Sequence, residues 1–211
     1  CLAQTDPEAL ARMPGIDLVL GNQEKYRLPE LLGSLVKRDR PEVRVGPIAD
    51  AREVPSAPVH RMIGRMRGRS RAFVKIQDGC QHRCAFCIVP AARGRSRSQE
   101  PKVLVEQVEA LVEAGYGEIT LTGVDIGHYG WDLLPRTSLA VLVARLAEVA
   151  DLRWLRLSSV LPSYFTQELM QAVTTLPVVV PHLHLPLQSG SDRVLRLMRR
   201  PYNTAMYRTL A

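Results

Sequence analysis

From residue 72 onward the sequence alternates short apolar runs with amphipathic helical stretches, and no other feature narrows the fold so far. AFVKIQ (72–77), GEITLTGV (117–124), LRWLRLSS (152–159) and PHLHLPLQS (181–189) each read as a buried strand. Between them, KVLVEQVEALVEAGY puts Leu104, Val108, Leu111 and Val112 on one helical face and stops at Gly115. SLAVLVARLAEVA does the same with Leu139, Leu142, Leu146 and Val149, while FTQELMQAV and SDRVLRLMRR supply two further helices. Four strand–helix repeats in order imply a parallel sheet, open or barrel-like, with the functional site at the carboxyl ends of its strands.

The preceding residues are organised differently. PEALARM suits a short helix with Pro7 in its first turn, IDLVLGN a strand, and EKYRLPELLGSLVK a second helix, so residues 1–36 read as the back of a small α/β unit. Residues 37–70 are rich in proline and charge and read as a linker. Its end, RMIGRMRGRSR, sets Arg61, Arg65, Arg67, Arg69 and Arg71 among two glycines, a pattern suited either to tracking a phosphate backbone or to a solvated strap. With 28 Lys and Arg against 21 Asp and Glu, the formal charge of +7 favours a polyanionic partner. No apolar run approaches the ~20 residues that cross a bilayer, so a cytoplasmic protein with no membrane contact is expected. The chain opens on Cys1 without an initiator Met and is read as a fragment at both ends.

Three of the four cysteines, Cys80, Cys84 and Cys87, stand directly after the first strand with the spacing C-x3-C-x2-C. Three thiolates on one short loop can ligate three irons of a [4Fe-4S] cube and leave the fourth open to a small molecule. A closed zinc site would want a fourth ligand, for which His82 inside the loop is the nearest candidate. The spacing favours the cube, with a zinc-stabilised, non-catalytic RNA-binding module as the alternative from another class. His82 otherwise reads as a solvent-facing loop residue.

In this position the motif resembles that of the radical SAM superfamily, whose fold is a partial barrel. The resemblance implies that Phe86, just before the third cysteine, lies against the adenine of S-adenosylmethionine. It also implies that LTGVDIGHYG, after the second strand, forms the turn that receives the cofactor's methionine end, with Gly123 and Asp125 as its candidate residues. The chemistry implied is one-electron cleavage of the sulfonium to a 5′-deoxyadenosyl radical.

Taken together, IQDGCQHRCAFCIVPAARGRSRS, LTGVDIGHYGWDL, RLSS and HLHLPLQSGSDRVLRLMRRPY are similar to the motifs of the methylthiotransferases over nearly the whole chain. TGVDIGHYGWDL is most like the branch that modifies N6-threonylcarbamoyladenosine at position 37 of tRNA; the isopentenyladenosine and ribosomal-protein branches are the alternatives. The resemblance implies a partial radical SAM barrel (71–211), a linker (37–70), and the end of an N-terminal methylthiotransferase domain (1–36). That domain holds a second [4Fe-4S] cluster, and Cys1 matches its third cysteine ligand, the other two lying outside this chain. Two molecules of S-adenosylmethionine, a tRNA substrate and an electron donor such as a flavodoxin or ferredoxin are implied with it.

Ser158, Ser159 and Gln188 stand at strand ends suited to the cofactor's ribose and carboxylate. His182 and His184 alternate with leucines and read as satisfied interior residues. Arg93, Arg95 and Arg97 either order the cysteine loop or, with Arg65, Arg67 and Arg69, meet RNA. Arg199 and Arg200 read as a helix end meeting its dipole. The family pattern has an acidic residue near Leu161 that this chain lacks.

Overall fold

The computed structural model describes residues 1–32, 40–54 and 70–211. The amino-terminal part is built from very short elements: helices α1 (Leu2–Thr5) and α2 (Pro7–Ala11), strand β1 (Leu18–Leu20), helix α3 (Leu28–Leu32) and strand β2 (Glu42–Arg44). Asp6 starts α2 by accepting the Ala9 N–H at 3.0 Å, and Pro7 fills a first-turn position where no N–H is needed.

β2 lies inside the segment expected as a linker, yet it pairs in parallel with β1, Leu18 opposite Glu42. A three-residue strand is too short to carry a readable period, which is why the sequence pattern does not announce it. The helix expected over 24–37 begins as a 3-10 turn, Glu24–Arg27, and continues as α3. Residues 33–39, and with them the rest of that expectation, lie outside the described residues.

The larger part holds a three-stranded parallel sheet of β3 (Arg71–Lys75), β6 (Glu118–Thr122) and β7 (Trp154–Leu157), in the order β3–β6–β7. Between β3 and β6 run β4 (Gln77–Asp78), α4 (Val89–Arg93), β5 (Arg97–Ser98) and α5 (Pro101–Glu113), with β4 and β5 paired antiparallel. α6 (Leu139–Leu146) precedes β7, and α7 (Gln167–Thr175), α8 (Asp192–Leu197) and α9 (Thr204–Leu210) come after it.

One face of the sheet, carrying Ala72, Val74, Ile119, Leu121, Leu155 and Leu157, packs on the helices. Leu104, Val108 and Leu111 of α5 and Leu142 and Leu146 of α6 are fully buried in that core, the faces that the helical period marks. Truncating any of these leucines to alanine costs about 2–5 kcal/mol. Ser138 and Thr166 cap α6 and α7 by accepting the Val141 and Leu169 N–H groups.

The expected fourth strand is not formed as a ladder. The chain touches β7 through a single bridge, Leu155 opposite Val179, and beyond the end of β7 the Val160 N–H donates to the His184 carbonyl at 3.1 Å. Pro181 and Pro186 cannot donate to a ladder, which is one reason the PHLHLPLQS segment forms no strand. His182 and His184 are therefore exposed rather than interior. No helix among the described residues is long and apolar enough to cross a membrane.

Candidate functional site

β3 delivers the chain to the cysteine loop, and a single buried side chain, Gln77, fixes the course of that loop. Gln77 is fully buried. Its amide nitrogen donates to the Gly79 carbonyl at 2.6 Å and to Ser96 Oγ at 2.8 Å, while its oxygen accepts the Val124 and Asp125 N–H groups at 3.1 and 2.8 Å. The loop after β3 is thereby tied to the turn after β6. Gly79 is required where it stands: with φ +78° and the Arg95 carbonyl occupying the space a Cβ would need, no other residue fits.

The basic run beyond the cysteines is folded back onto the loop. Arg93 pairs with the buried Asp78 at 3.0 Å, and Arg97, itself buried, donates to the Arg93, Arg95 and Glu53 carbonyls at 3.0, 2.9 and 3.1 Å. Burial works to raise the Asp78 pKa, but the charge of Lys75 and the hydrogen bond and charge of Arg93 outweigh it and hold it below the usual carboxylate value. Arg93 and Arg97 thus order the loop. Arg95 is exposed and donates to Gln81 Oε1 at 3.3 Å. Arg65, Arg67 and Arg69 lie outside the described residues.

Cys80, Cys84 and Cys87 line one cavity of about 290 Å³ at the carboxyl end of the sheet, with Phe86, Asp125, Ser159, His184, Gln188 and Arg200 around it. All three thiols are free. Cys80 Sγ accepts the His82 N–H at 3.4 Å and lies 3.8 Å from Asp125 Oδ2; Cys84 Sγ accepts from Arg200 Nη1 at 3.3 Å. Burial, aided by Asp125, pushes the Cys80 thiol up to about 11. Of the expected site residues, Phe86, Asp125 and Gln188 join the three cysteines on this cavity, and Gln188 does so with φ +66°.

Gly123 does not line the cavity. It lies against Gln77, whose carbonyl stands 2.8 Å from where a Cβ would be, so its role is close approach. Ser158 is also off the cavity, because successive residues of an extended chain face opposite sides; Ser159 takes the place and meets His184 Nδ1 at 2.5 Å.

The wall behind Cys80 was not legible as a site. Tyr164 OH donates to Asp125 Oδ2 at 3.1 Å, and His82 Nε2 lies 2.9 Å from the same hydroxyl. His82 is therefore a packed member of this wall rather than a free loop side chain. Gly127 lets the ring in, since an added Cβ would collide with Tyr164. Burial and the neighbouring Asp125 carboxylate push the Tyr164 pKa well up, so the phenol stays protonated and donating. On the far side, His128, Trp131 and Tyr164 line a second cavity of about 380 Å³.

Cys1, far from this loop in sequence, starts α1, and α1 packs against α4, the helix just after Cys87. Gln4 and Asn22 brace that contact: the Asn22 backbone N–H donates to Gln4 Oε1 at 2.8 Å, and the Asn22 side-chain amide donates to the Ala92 carbonyl at 2.6 Å.

Residues 74–211 match the radical SAM superfamily. The chain belongs to that superfamily. Over 207 residues, 98% of this chain and 45% of the relative, it is 36% identical to the threonylcarbamoyladenosine tRNA methylthiotransferase MtaB of Bacillus subtilis. It is 39% identical over 212 residues to the tRNA-2-methylthio-N(6)-dimethylallyladenosine synthase of Acidithiobacillus ferrooxidans, covering 98% of this chain and 46% of that one. The chain spans about half the length of the curated relatives it matches. Among solved structures, the cobalamin-dependent S-adenosylmethionine radical enzyme OxsB superposes with a TM-score of 0.55 over 88% of this chain and 30% of its own, at 13% identity. That likeness is one of fold.

The radical SAM loop fits an iron–sulfur cluster by its donor set: three thiols on one cavity, two of them already accepting N–H bonds, the outer contacts that cluster sulfurs take. Among the described residues no three His, Cys, Asp or Glu side chains converge as ligands of a single ion, and a cube needs its thiolates on three separate irons. The motif residues Tyr129, Gly130 and Asp132 brace the radical SAM loop from outside. Tyr129 OH donates to the Gln99 carbonyl at 2.7 Å, the Gly130 N–H reaches Ser98 Oγ at 2.9 Å, and Asp132 accepts the Ser98 N–H and hydroxyl at 2.8 and 2.6 Å.

Proposed function

We propose that this chain is the cluster-bearing part of a radical SAM methylthiotransferase that adds a methylthio group to C2 of N6-threonylcarbamoyladenosine at position 37 of tRNA. The observation that carries the reading is positional. The element that begins at Cys1 packs beside the helix just after the Cys80–Cys84–Cys87 loop, so sulfur held near Cys1 and a radical made at the loop would share one neighbourhood. Likeness to the B. subtilis enzyme across 98% of the chain supports the same choice.

In this reading Cys80, Cys84 and Cys87 hold the [4Fe-4S] cluster that, with S-adenosylmethionine bound, supplies the radical chemistry. Asp125, Ser159 and Gln188 orient the cofactor on the cavity, and Phe86 lies along its adenine. Tyr164 and His82 keep Asp125 oriented and close the cavity behind Cys80. Cys1 supplies one thiolate of an auxiliary cluster whose remaining ligands come from the rest of the protein. The auxiliary domain, the basic connection and the barrel keep the division read from the sequence, with β2 added to the first. Arg65, Arg67, Arg69 and Arg95 are the residues available to the RNA backbone, and a flavodoxin or ferredoxin delivers the electron.

The test is anaerobic reconstitution of the full-length protein, incubation with tRNA carrying either N6 substituent or with ribosomal subunits, and mass spectrometry of the products. Methylthiolation of the threonylcarbamoyl nucleoside supports the assignment. Transfer only to isopentenyladenosine would replace it with the second reading, which the 39% identity to the A. ferrooxidans enzyme favours. A colourless zinc protein that leaves S-adenosylmethionine intact would sink both.

A further inference from the structure

Sequence alone assigns Arg200 no task beyond its helix end, and the structure gives it one at the cysteine loop. Arg199 takes the left-handed conformation at φ +56°, and the Arg200 N–H returns to the Leu195 carbonyl at 2.9 Å, a helix stop that turns the next side chain back over the barrel mouth. The same helix end receives the cysteine loop directly, the Ala85 N–H donating to the Met198 carbonyl at 3.1 Å.

The Arg200 guanidinium is then held on three sides. Its Nη1 donates to Cys84 Sγ at 3.3 Å, its Nε to Tyr202 OH at 3.1 Å, and its plane centre sits 5.9 Å from the Phe86 ring centroid. Tyr202 is buried and anchored in turn, donating to the Pro186 carbonyl at 2.6 Å. Among the described residues no carboxylate forms an ion pair with Arg200, so its charge is not neutralised by another side chain. A fixed cation with an N–H aimed at a ligand sulfur stabilises the more negative, reduced state of an iron–sulfur cluster and so raises its potential.

We propose that Arg200 is a positioning residue for the cluster, donating to the Cys84 sulfur and raising the reduction potential of the site, with Tyr202 as the strut that keeps the guanidinium in place. This rests on the reading that Cys80, Cys84 and Cys87 hold a [4Fe-4S] cluster. The planar fork matters as well as the charge, because only a guanidinium reaches Cys84 and Tyr202 together.

The experiment is a redox titration of full-length protein carrying Cys1→Ala, so that the auxiliary site is disabled, with dithionite as one-electron reductant and the reduced cluster counted by electron paramagnetic resonance. Arg200→Met is expected to lower the ratio of reduced to oxidised cluster at a fixed poise about tenfold, a fall of about 59 mV for a one-electron couple. Arg200→Lys and Tyr202→Phe should shift it less, in the same direction. Iron content is read alongside: loaded Arg200→Lys and Tyr202→Phe proteins with unchanged midpoints overturn the proposal, whatever Arg200→Met retains. A parent protein that assembles no cluster overturns the cysteine reading with it, whereas a cluster indifferent to Arg200 overturns this assignment alone.

Discussion

The amino and carboxyl ends of β3, β6 and β7 are both polar, and their polar groups are disposed in opposite ways. At the amino end Glu118 receives Arg71 and also Arg156, which reaches back from the third residue of β7, and the three charges close on one another across the sheet. At the carboxyl end three thiols, an aspartate, a serine, a glutamine and an arginine surround open space. Charge that is satisfied within the protein stabilises it; polar groups left facing a cavity are available to a ligand. The difference assigns stability to one end and chemistry to the other, as expected for strands of a partial barrel.

The sharpest break in that comparison is Cys84→Ala. It removes one proposed cluster ligand from the open end and nothing from the closed one. Iron content and cleavage of S-adenosylmethionine should both drop to background, a loss of more than about 4 kcal/mol in transition-state terms. Thermal unfolding of the metal-free protein should move by less than about 1 kcal/mol, because Cys84 is not part of the core. Equal losses in both measurements would mean that the two ends are not separable.

Gln77→Leu comes next and hits both properties at once. The Val124 and Asp125 N–H groups and the Gly79 carbonyl would be left buried without their partner, at a cost of about 3 kcal/mol read from the denaturant midpoint. Cofactor affinity should fall with it, since Asp125 is set by that bond. Gln77→Glu keeps the acceptor for the two N–H groups but loses the donor to Gly79, and should recover part of the stability.

Gln77 also marks the limit of what the sequence announces. The faces of α5 and α6 were legible because their partners recur every three or four residues, and the cysteine triad was legible because its three thiols fall within eight positions. Gln77 works on residues 47 and 48 positions away, and Arg200 on one 116 away, so no local pattern announces either. The arginines after the triad were visible as charge, but the buried ends of Arg93 and Arg97 depend on Asp78 and on carbonyls that only the folded loop presents. The fourth strand misled because alternation of leucine and histidine satisfies the strand pattern, whereas pairing needs a donor that Pro181 and Pro186 lack.

Gly127→Ala should produce a smaller effect than Gln77→Leu, confined to the open end. The new methyl group meets the Tyr164 ring, and overpacking of this kind costs about 1–3 kcal/mol. Moving the ring detaches Tyr164 OH from Asp125, so the loss of cofactor affinity should be matched by Tyr164→Phe without the loss of stability. If Gly127→Ala weakened folding while leaving cofactor binding untouched, the wall behind Cys80 would be structural only.

Glu118→Gln tests the closed end and should be the mildest change. Burial acts to raise the Glu118 pKa, but hydrogen bonds from Arg156 and Arg71, with their charges, outweigh it and hold the carboxyl below its ordinary value of 4.5. A group whose folded pKa is depressed binds fewer protons folded than unfolded, so its contribution is complete above 4.5 and is lost as pH falls through the lower, folded value. The substitution should therefore cost about 1 kcal/mol at neutral pH, the scale of a partly exposed ion pair. Below the depressed value the carboxyl is neutral in both states and the parent and the variant should unfold at the same denaturant concentration. Cofactor cleavage should be unaffected at neutral pH, since Glu118 lies at the other end of β6 from Asp125. A Glu118→Gln protein whose stability deficit persisted in acid, or whose cleavage rate fell, would show that the two ends of the strands are coupled through the sheet and not merely joined by it.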